Sequence, residues 1–511
     1  MEHRMGNVSP LHRQPSPAVA RWASRSVPAR LWHVRPEPSP AAVRWASHSV
    51  PAHLSARGLA VPVWAALLLP AAALLRLLSP WASLILAPAF ALAAAVRLAA
   101  LAVPPPPGPP PLPEADLPTV TALVPLFREE ALLPDLAAAL GRLDYPARLL
   151  EVLILVEESD PQTAAAARAH RPPCSGWQVV VVPEGSPQTK PRACNVGLAL
   201  AQGEVVVVFD GEDRPDPGQA RLAAAALASD PGLAVVQARL GCDHAGPGSP
   251  LVARLWALEY AGLFGCVLPA LARLGLPFPL GGTSNWFRTD ALRAAGGWDA
   301  HNVTEDADLG VRLARLGWRS GVIDSTTWEE APVTARAWLC QRARWLKGFA
   351  VTSIVHAREP RRAARELGLP ATLALVAQLP ASLLCIAAHP LGLALLAGGQ
   401  VGGALAALML LGYASALALA ARAARRAGLP LWLALLLPAY WLALWAALLL
   451  ALRDLARDPA HWRKTAHGAV ERPGLPSICG SSRAPGRIPC PEGRESPMFS
   501  LCSHDPAEER R

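Results

Sequence analysis

Residues 204–217 read EVVVVFDGEDRPDP. An unbroken apolar run from Val205 to Phe209, without alternation, marks a strand buried on both faces and therefore an α/β sheet covered by helices. Asp210, Glu212 and Asp213 follow at once, at the strand end outside which such sheets bind their ligands. Carboxylates crowded there repel one another unless a cation offsets the charge. Hard oxygen ligands that leave room for a diphosphate suit Mg²⁺ or Mn²⁺. In isolation the same residues also read as an acidic, solvated turn.

The neighbouring segments repeat the pattern. TVTALVPL (119–126), EVLILVEE (151–158) and WQVVVVP (177–183) are each followed by a polar turn and an Ala/Leu-rich stretch. That alternation implies βαβ units and a mostly parallel sheet, here expected over residues 119–330. The second strand runs into Glu157, Glu158 and Asp160. TKPRACNVGLA (189–199) opens a helix after a strand, where Lys190, Arg192 and Asn195 can face phosphate oxygens or simply be solvated. GGTSNWF, from Gly281, offers backbone at Gly282 that a ligand can approach closely, with the Thr283 hydroxyl beside it. An ordinary strand entry accounts for it equally.

In NVTEDADLGVRLARLGW (302–318) Thr304 has the place of an N-cap, with Glu305, Asp306 and Asp308 in the first turn. Capping alone explains these residues, and a general base at Asp306 is the competing reading. QRARW (341–345) gathers an amide, two guanidinium groups and an indole on about one turn of helix. Trp345 can stack on a sugar and Arg344 contact phosphate, or the group can anchor a helix at a membrane surface.

The flanks decide the class. Hydrophobic residues make up 52% of the 511 residues and charged ones 17%, more apolar than a soluble domain. The net charge of +9 lies mostly on arginines at the edges of apolar runs and in the tails. This placement suits membrane topology and contact with anionic lipid; no basic stripe with interleaved aromatics points to nucleic acid. Nine cysteines without a C-x-x-C pair imply neither a disulfide framework nor a zinc site.

Residues 1–57, with a near-repeat starting at Pro15 and Pro38, are expected to be a disordered basic tail. Residues 58–103 read as a transmembrane hairpin, with Arg76 and Arg97 snorkelling to the interface. Residues 104–118 form a stiff Pro-rich linker, and residues 331–366 an amphipathic interfacial segment. Residues 367–456 supply apolar runs near 370–397, 401–421 and 430–452. Three full crossings would carry RDLARDPAHWRKTAHG (453–468) outside, against the positive-inside rule. The run broken at Pro438 is therefore the candidate for a re-entrant or interfacial helix. Residues 457–511 are expected to be a cytoplasmic or disordered tail.

Taken in order, E-E-S-D, K-P-R-A-x-N, D-G-E-D, G-G-T-S, T-E-D and Q-x-x-R-W resemble the motifs of family-two glycosyltransferases, above all the cellulose-synthase-like and hyaluronan-synthase-like membrane members. The resemblance covers about residues 119–347 and the flanking membrane plan. It implies a GT-A nucleotide-sugar-binding domain inserted between transmembrane helices, and an inverting transfer from a nucleotide sugar, UDP-linked in the expected case, to a polysaccharide or lipid-linked acceptor. Carried over motif by motif, Glu157, Glu158, Asp160, Lys190, Arg192, Asn195, Gly282 and Thr283 would bind the donor. Asp210 and Glu212, with Asp213 beside them, would hold Mg²⁺ or Mn²⁺. Asp306, next to Glu305, would be the base, and Gln341, Arg344 and Trp345 would face acceptor and diphosphate. Glutamate at the second position of the D-x-D motif departs from the commonest form. The setting this implies is an integral protein of a bacterial inner membrane, in contact with its lipids and with its catalytic domain in the cytoplasm. A catalytically inactive scaffold that binds a nucleotide sugar or recruits partners is the alternative.

Overall fold

The computed structural model describes residues 38–61, 82–172, 176–401 and 403–458. Helix α1 (Pro40–His48) comes first, and α2 (Ala82–Ala102) precedes an extended proline-rich stretch leading to strand β1 (Val120–Leu126). Strands β2 (Leu150–Glu157) and β3 (Gly176–Val182), helix α3 (Lys190–Leu200) and strands β4 (Val205–Val208), β5 (Arg214–Pro215) and β6 (Leu233–Cys242) follow. Then come α4 (Leu251–Gly262), β7 (Asn285–Arg288), α5 (Glu305–Arg315) and β8 (Arg319–Glu329). The last part is helical: α6 (Ala335–Ala357), α7 (Pro380–Ala397), α8 (Gly403–Arg426) and α9 (Leu437–Arg457).

The strands form one sheet in the order β3-β2-β1-β4-β7-β6-β8-β5. Pairs β1–β2, β1–β4 and β2–β3 are parallel, as is β6–β8, and β7 runs antiparallel between β4 and β6. The fold is thus an α/β domain with a mixed sheet, joined to apolar helices before and after it. Every residue of β1, β2 and β4 except Pro125 is buried, which explains why their sequences are continuous apolar runs.

Four described helical stretches are long and apolar enough to cross a membrane: Leu251–Arg273, Leu369–Ala397, Gly403–Arg426 and Leu437–Arg457. The first begins with α4 and is 67% buried in the protein. Its apolar character comes from packing against the sheet on one side and against α2 and α8 on the other. Helix α9 is packed lengthwise on α6. Near one end Trp338 donates to the Tyr440 hydroxyl (2.6 Å), and at the other Lys347 donates to the Asp458 carbonyl (3.3 Å).

Several expectations are corrected here. Residues 38–57 are ordered: Ser39 caps α1 at Ala42 N (3.2 Å), Pro40 starts the helix, and the segment packs on α3. The first copy of the near-repeat, Arg76 and all but the opening residues of the hairpin's first half lie outside the described residues, as does the tail beyond Asp458. Arg97 turns inward and lines a cavity instead of reaching for the interface. Among the described residues Cys194, Cys242, Cys266 and Cys385 are free thiols.

Candidate active site

A cavity of about 770 Å³ opens at the carboxyl ends of β1, β2 and β4. The strand ends deliver Glu157, Asp210 and Glu212 to it, the start of α3 delivers Lys190, the start of α5 delivers Glu305 and Asp306, and α6 delivers Gln341, Arg344 and Trp345. Gly282 adds backbone. These sequence-predicted residues, far apart in the chain, share one space.

Lys190 is the pivot of the charged end. Its ammonium lies 2.6 Å from Asp210 Oδ1 and donates to the Gly282 carbonyl at 2.7 Å. Burial works against this charge, yet Asp210, Asp306 and Glu305 outweigh it and hold the lysine pKa well above its ordinary value. Asp306 is buried, with Oδ1 accepting from Trp298 Nε1 at 3.1 Å. Burial and the adjacent Glu305 push its pKa well above the carboxylate range, with Lys190 opposing. Thr304 stands at the N-cap position without a side-chain capping bond, so capping does not account for this motif; its hydroxyl is turned toward Asn302. Glu157 is pushed up to about 7 by burial, with Arg192 opposing.

Six predicted residues act on the protein itself. Asp213 is turned inward, accepting from Asp210 N (2.7 Å) and from the Thr283 hydroxyl, so both Asp213 and Thr283 shape the D-G-E-D turn without facing the cavity. The expectation of three metal carboxylates is thereby reduced to Asp210 and Glu212; among the described residues no three His, Cys, Asp or Glu side chains are grouped to hold an ion. Asp160 caps the helix at Pro161–Ala169 through Thr163 N (3.2 Å) and accepts from Arg128 N (2.5 Å). Glu158 accepts from Glu184 N (3.1 Å). Arg192 is fully buried, donating to the Pro183 carbonyl (2.6 Å) beside Glu157, and Gly185 leaves the room it needs, since a Cβ there would sit 2.3 Å from Nη2. Asn195 donates to the Ala46 and Trp298 carbonyls (2.8 Å each) and accepts from Trp298 N (2.9 Å).

Two carboxylates suffice for the chemistry. Mg²⁺ and Mn²⁺ are held by one or two side-chain oxygens with substrate phosphate and water completing the shell. Glu129, Glu157, Asp210, Glu212, Glu305, Asp306 and Glu329 line the same end of the cavity against Lys190 and Arg344. A donor diphosphate would add to that excess of negative charge, so the donor set fits a divalent cation.

Sequence reasoning missed Glu329, Tyr260 and the Trp298 bond to Asp306. Tyr260 donates to Glu329 Oε2 (3.2 Å) and stacks on Trp345 at 6.1 Å between ring centroids. Arg342 pairs with Glu259 and lies over Trp256 (4.1 Å) and Trp345 (4.8 Å), fixing the indole that Q-x-x-R-W contributes. The signal for Glu329 was available: an acidic pair ending a strand, as at Glu157.

Residues 205–453 match the model of the glycosyl transferase family group 2, and residues 121–264 that of glycosyl transferase family 2. Among curated relatives, glucomannan 4-beta-mannosyltransferase 7 of Arabidopsis thaliana is 25% identical over 46% of this chain and 43% of its own. Beta-monoglucosyldiacylglycerol synthase of Synechocystis is 28% identical over 45% of this chain and 48% of its own. The chain thus spans about half the length of these relatives. A solved mannosyltransferase from Pyrobaculum calidifontis, in complex with GDP-Man and Mn²⁺, is 22% identical with a TM-score of 0.48, covering 73% of this chain and 99% of that one. The two family models together match residues 121–453, and this part of the chain is a glycosyltransferase family 2 domain.

Proposed function

We propose that the protein transfers a sugar from a nucleotide-sugar donor, UDP-linked in the expected case, to a hydroxyl of a polysaccharide or lipid-linked acceptor, with inversion at the anomeric carbon. The observation that carries this reading is the convergence of Lys190, Asp210, Asp306, Arg344 and Trp345 on one cavity. Asp306, its proton affinity raised by burial and by Glu305, takes the acceptor proton. Trp298 holds the carboxylate in orientation. Lys190 and Arg344 stand where a diphosphate would gather charge, and Trp345 offers a stacking face to a sugar. Asp210 and Glu212 would hold Mg²⁺ or Mn²⁺, which would offset the charge of the departing diphosphate.

The reading is tested by supplying the purified membrane protein with labelled nucleotide sugars, with and without EDTA, and following nucleotide release and labelled product. Consumption of one donor only with metal supports it; nucleotide binding without turnover under every donor and acceptor favours an inactive scaffold. The two roles inside D-G-E-D separate by mutation. Asp210→Asn is expected to raise the metal concentration needed for half-maximal activity about 10-fold or more. Asp213→Asn is expected to leave it within about 2-fold, because an amide oxygen can accept the same two hydrogen bonds.

We place the catalytic domain on the cytoplasmic side of a bacterial inner membrane, in contact with its lipids. Both ends of α9 are tied to α6, which supports an interfacial α9, the arrangement that the positive-inside rule asks of the basic run beginning at Arg453.

A further inference from the structure

The cavity does not stop at the catalytic carboxylates. It continues between α2, α7, α8 and α9, reaching Phe90, His389 and Met409. Phe90 lies twelve residues, about 18 Å of helix, before the Ala102 end of α2. The catalytic end therefore opens into an arm lodged among the apolar helices, with Val96, Phe264, Leu419 and Leu444 in its wall.

Most polar groups along this arm are spent on the protein. His389 uses both ring nitrogens, on the Pro438 carbonyl (2.9 Å) and the Tyr413 hydroxyl (2.8 Å). Ser382 donates to the Gln378 and Leu379 carbonyls, and Gln378 to those of Pro277 and Ala374. Arg97 differs. Its guanidinium has five donors, and its one hydrogen bond among the described residues is a long 3.4 Å contact with the Gly412 carbonyl. A cation inside an apolar bundle is costly and faces a partner or a pathway. Phosphate is the anion whose geometry a guanidinium matches.

We propose that the acceptor is a phosphate-bearing membrane lipid, its hydrocarbon chain in this arm, its phosphate on Arg97 and its hydroxyl-bearing head extended to Asp306. The proposal rests on the transferase reading. A polysaccharide threading the arm would need hydrogen-bonding partners along its path, and the arm has few to give. In the transfer, the head-group oxygen bonds to the anomeric carbon as the bond to the diphosphate breaks. Asp306 receives the proton and the diphosphate leaves with the electron pair.

The test uses the full chain in phosphatidylcholine vesicles, with phosphatidylglycerol or uncharged diacylglycerol as acceptor and a soluble oligosaccharide as a third arm. Photoactivatable forms of both lipids report binding by cross-linking to residues 82–102 and 403–426. Cross-linking should be stronger for phosphatidylglycerol, and Arg97→Gln should remove that preference and raise the KM for this lipid about 10-fold or more, as expected for a charged hydrogen bond lost. The KM for the donor should not move, and Arg97→Lys should keep most of the preference, which separates recognition from misfolding. Equal cross-linking of charged and neutral lipid, an unchanged preference in Arg97→Gln, or label entering only a soluble polymer without need of lipid each overturns the proposal while leaving transfer intact. Absence of nucleotide release in every arm with the parent protein overturns the transferase reading itself.

Discussion

Asp306→Asn is expected to lower sugar transfer by about 10²- to 10⁴-fold while nucleotide binding persists, the loss that removal of a positioned general base produces. The substitution is nearly isosteric, and the amide oxygen can still accept the Trp298 indole bond seen at 3.1 Å. Geometry is thus kept and basicity removed. The proposed base works only when ionised, so activity should rise with pH and level off above the raised pKa of Asp306, displaced upward from the usual aspartate range by burial and Glu305. Stability should move the other way. A carboxyl whose folded pKa exceeds its unfolded value binds more protons folded than unfolded between the two. Its contribution to stability is therefore complete below the unfolded value near 3.8 and is lost as pH rises through the folded one. Asp306→Asn removes that loss, so at neutral pH the variant should melt at a temperature no lower than the parent while being far less active. Melting curves and labelled-product assays on the same preparation check both halves; full transfer by Asp306→Asn would remove Asp306 from the base role.

The sequence made the strands legible because β1, β2 and β4 are buried on both faces, and such strands must be written as continuous apolar runs. It could not show β7 entering antiparallel between β4 and β6, since pairing partners separated by long segments leave no local periodicity. The apolar stretch from Leu251 carried no warning that it would wedge between sheet and membrane helices, because both surroundings ask for the same residues. Within the site, which motifs could meet at the strand ends was readable, and which way each side chain faced was not. Successive side chains at a strand end point to opposite sides. Glu157 lines the cavity while Glu158 holds a neighbouring loop, and Asp210 and Glu212 line it while Asp213 braces the turn beneath them. Arg192 and Asn195 look like phosphate ligands by residue type, yet both are completely buried. Arg192 is held by Pro183 and Glu157, which precede it, and Asn195 by Trp298, 103 residues on, and by Ala46 in the first described segment.

That earlier segment ties the second large effect to the first. Asn195 joins α1, through the Ala46 carbonyl, to both backbone groups of Trp298, whose indole orients Asp306. The same loop is held from the other side by Asp299, which accepts from the Ser55 hydroxyl (2.9 Å) and from Ala56 N (2.6 Å). Composition suggests disorder for residues 38–57, but a helix with a serine cap and proline at its first position needs only a docking site to persist, and Asn195 supplies it. Truncating Asn195 to alanine leaves three buried backbone groups without partners. At about 1–3 kcal/mol for each orphaned group, destabilisation on the order of 3 kcal/mol is expected before any relaxation. The segment around Ala46 should then become the first site of limited proteolysis, and transfer should fall even at temperatures where the membrane helices remain folded. Because the indole bond to Asp306 is disturbed and the carboxylate itself is kept, the acid limb of the pH–activity profile should shift upward, since that bond favours the ionised form. An Asn195→Ala variant with parental protease resistance and an unmoved pH profile would show that the N-terminal segment and the base are independent of each other.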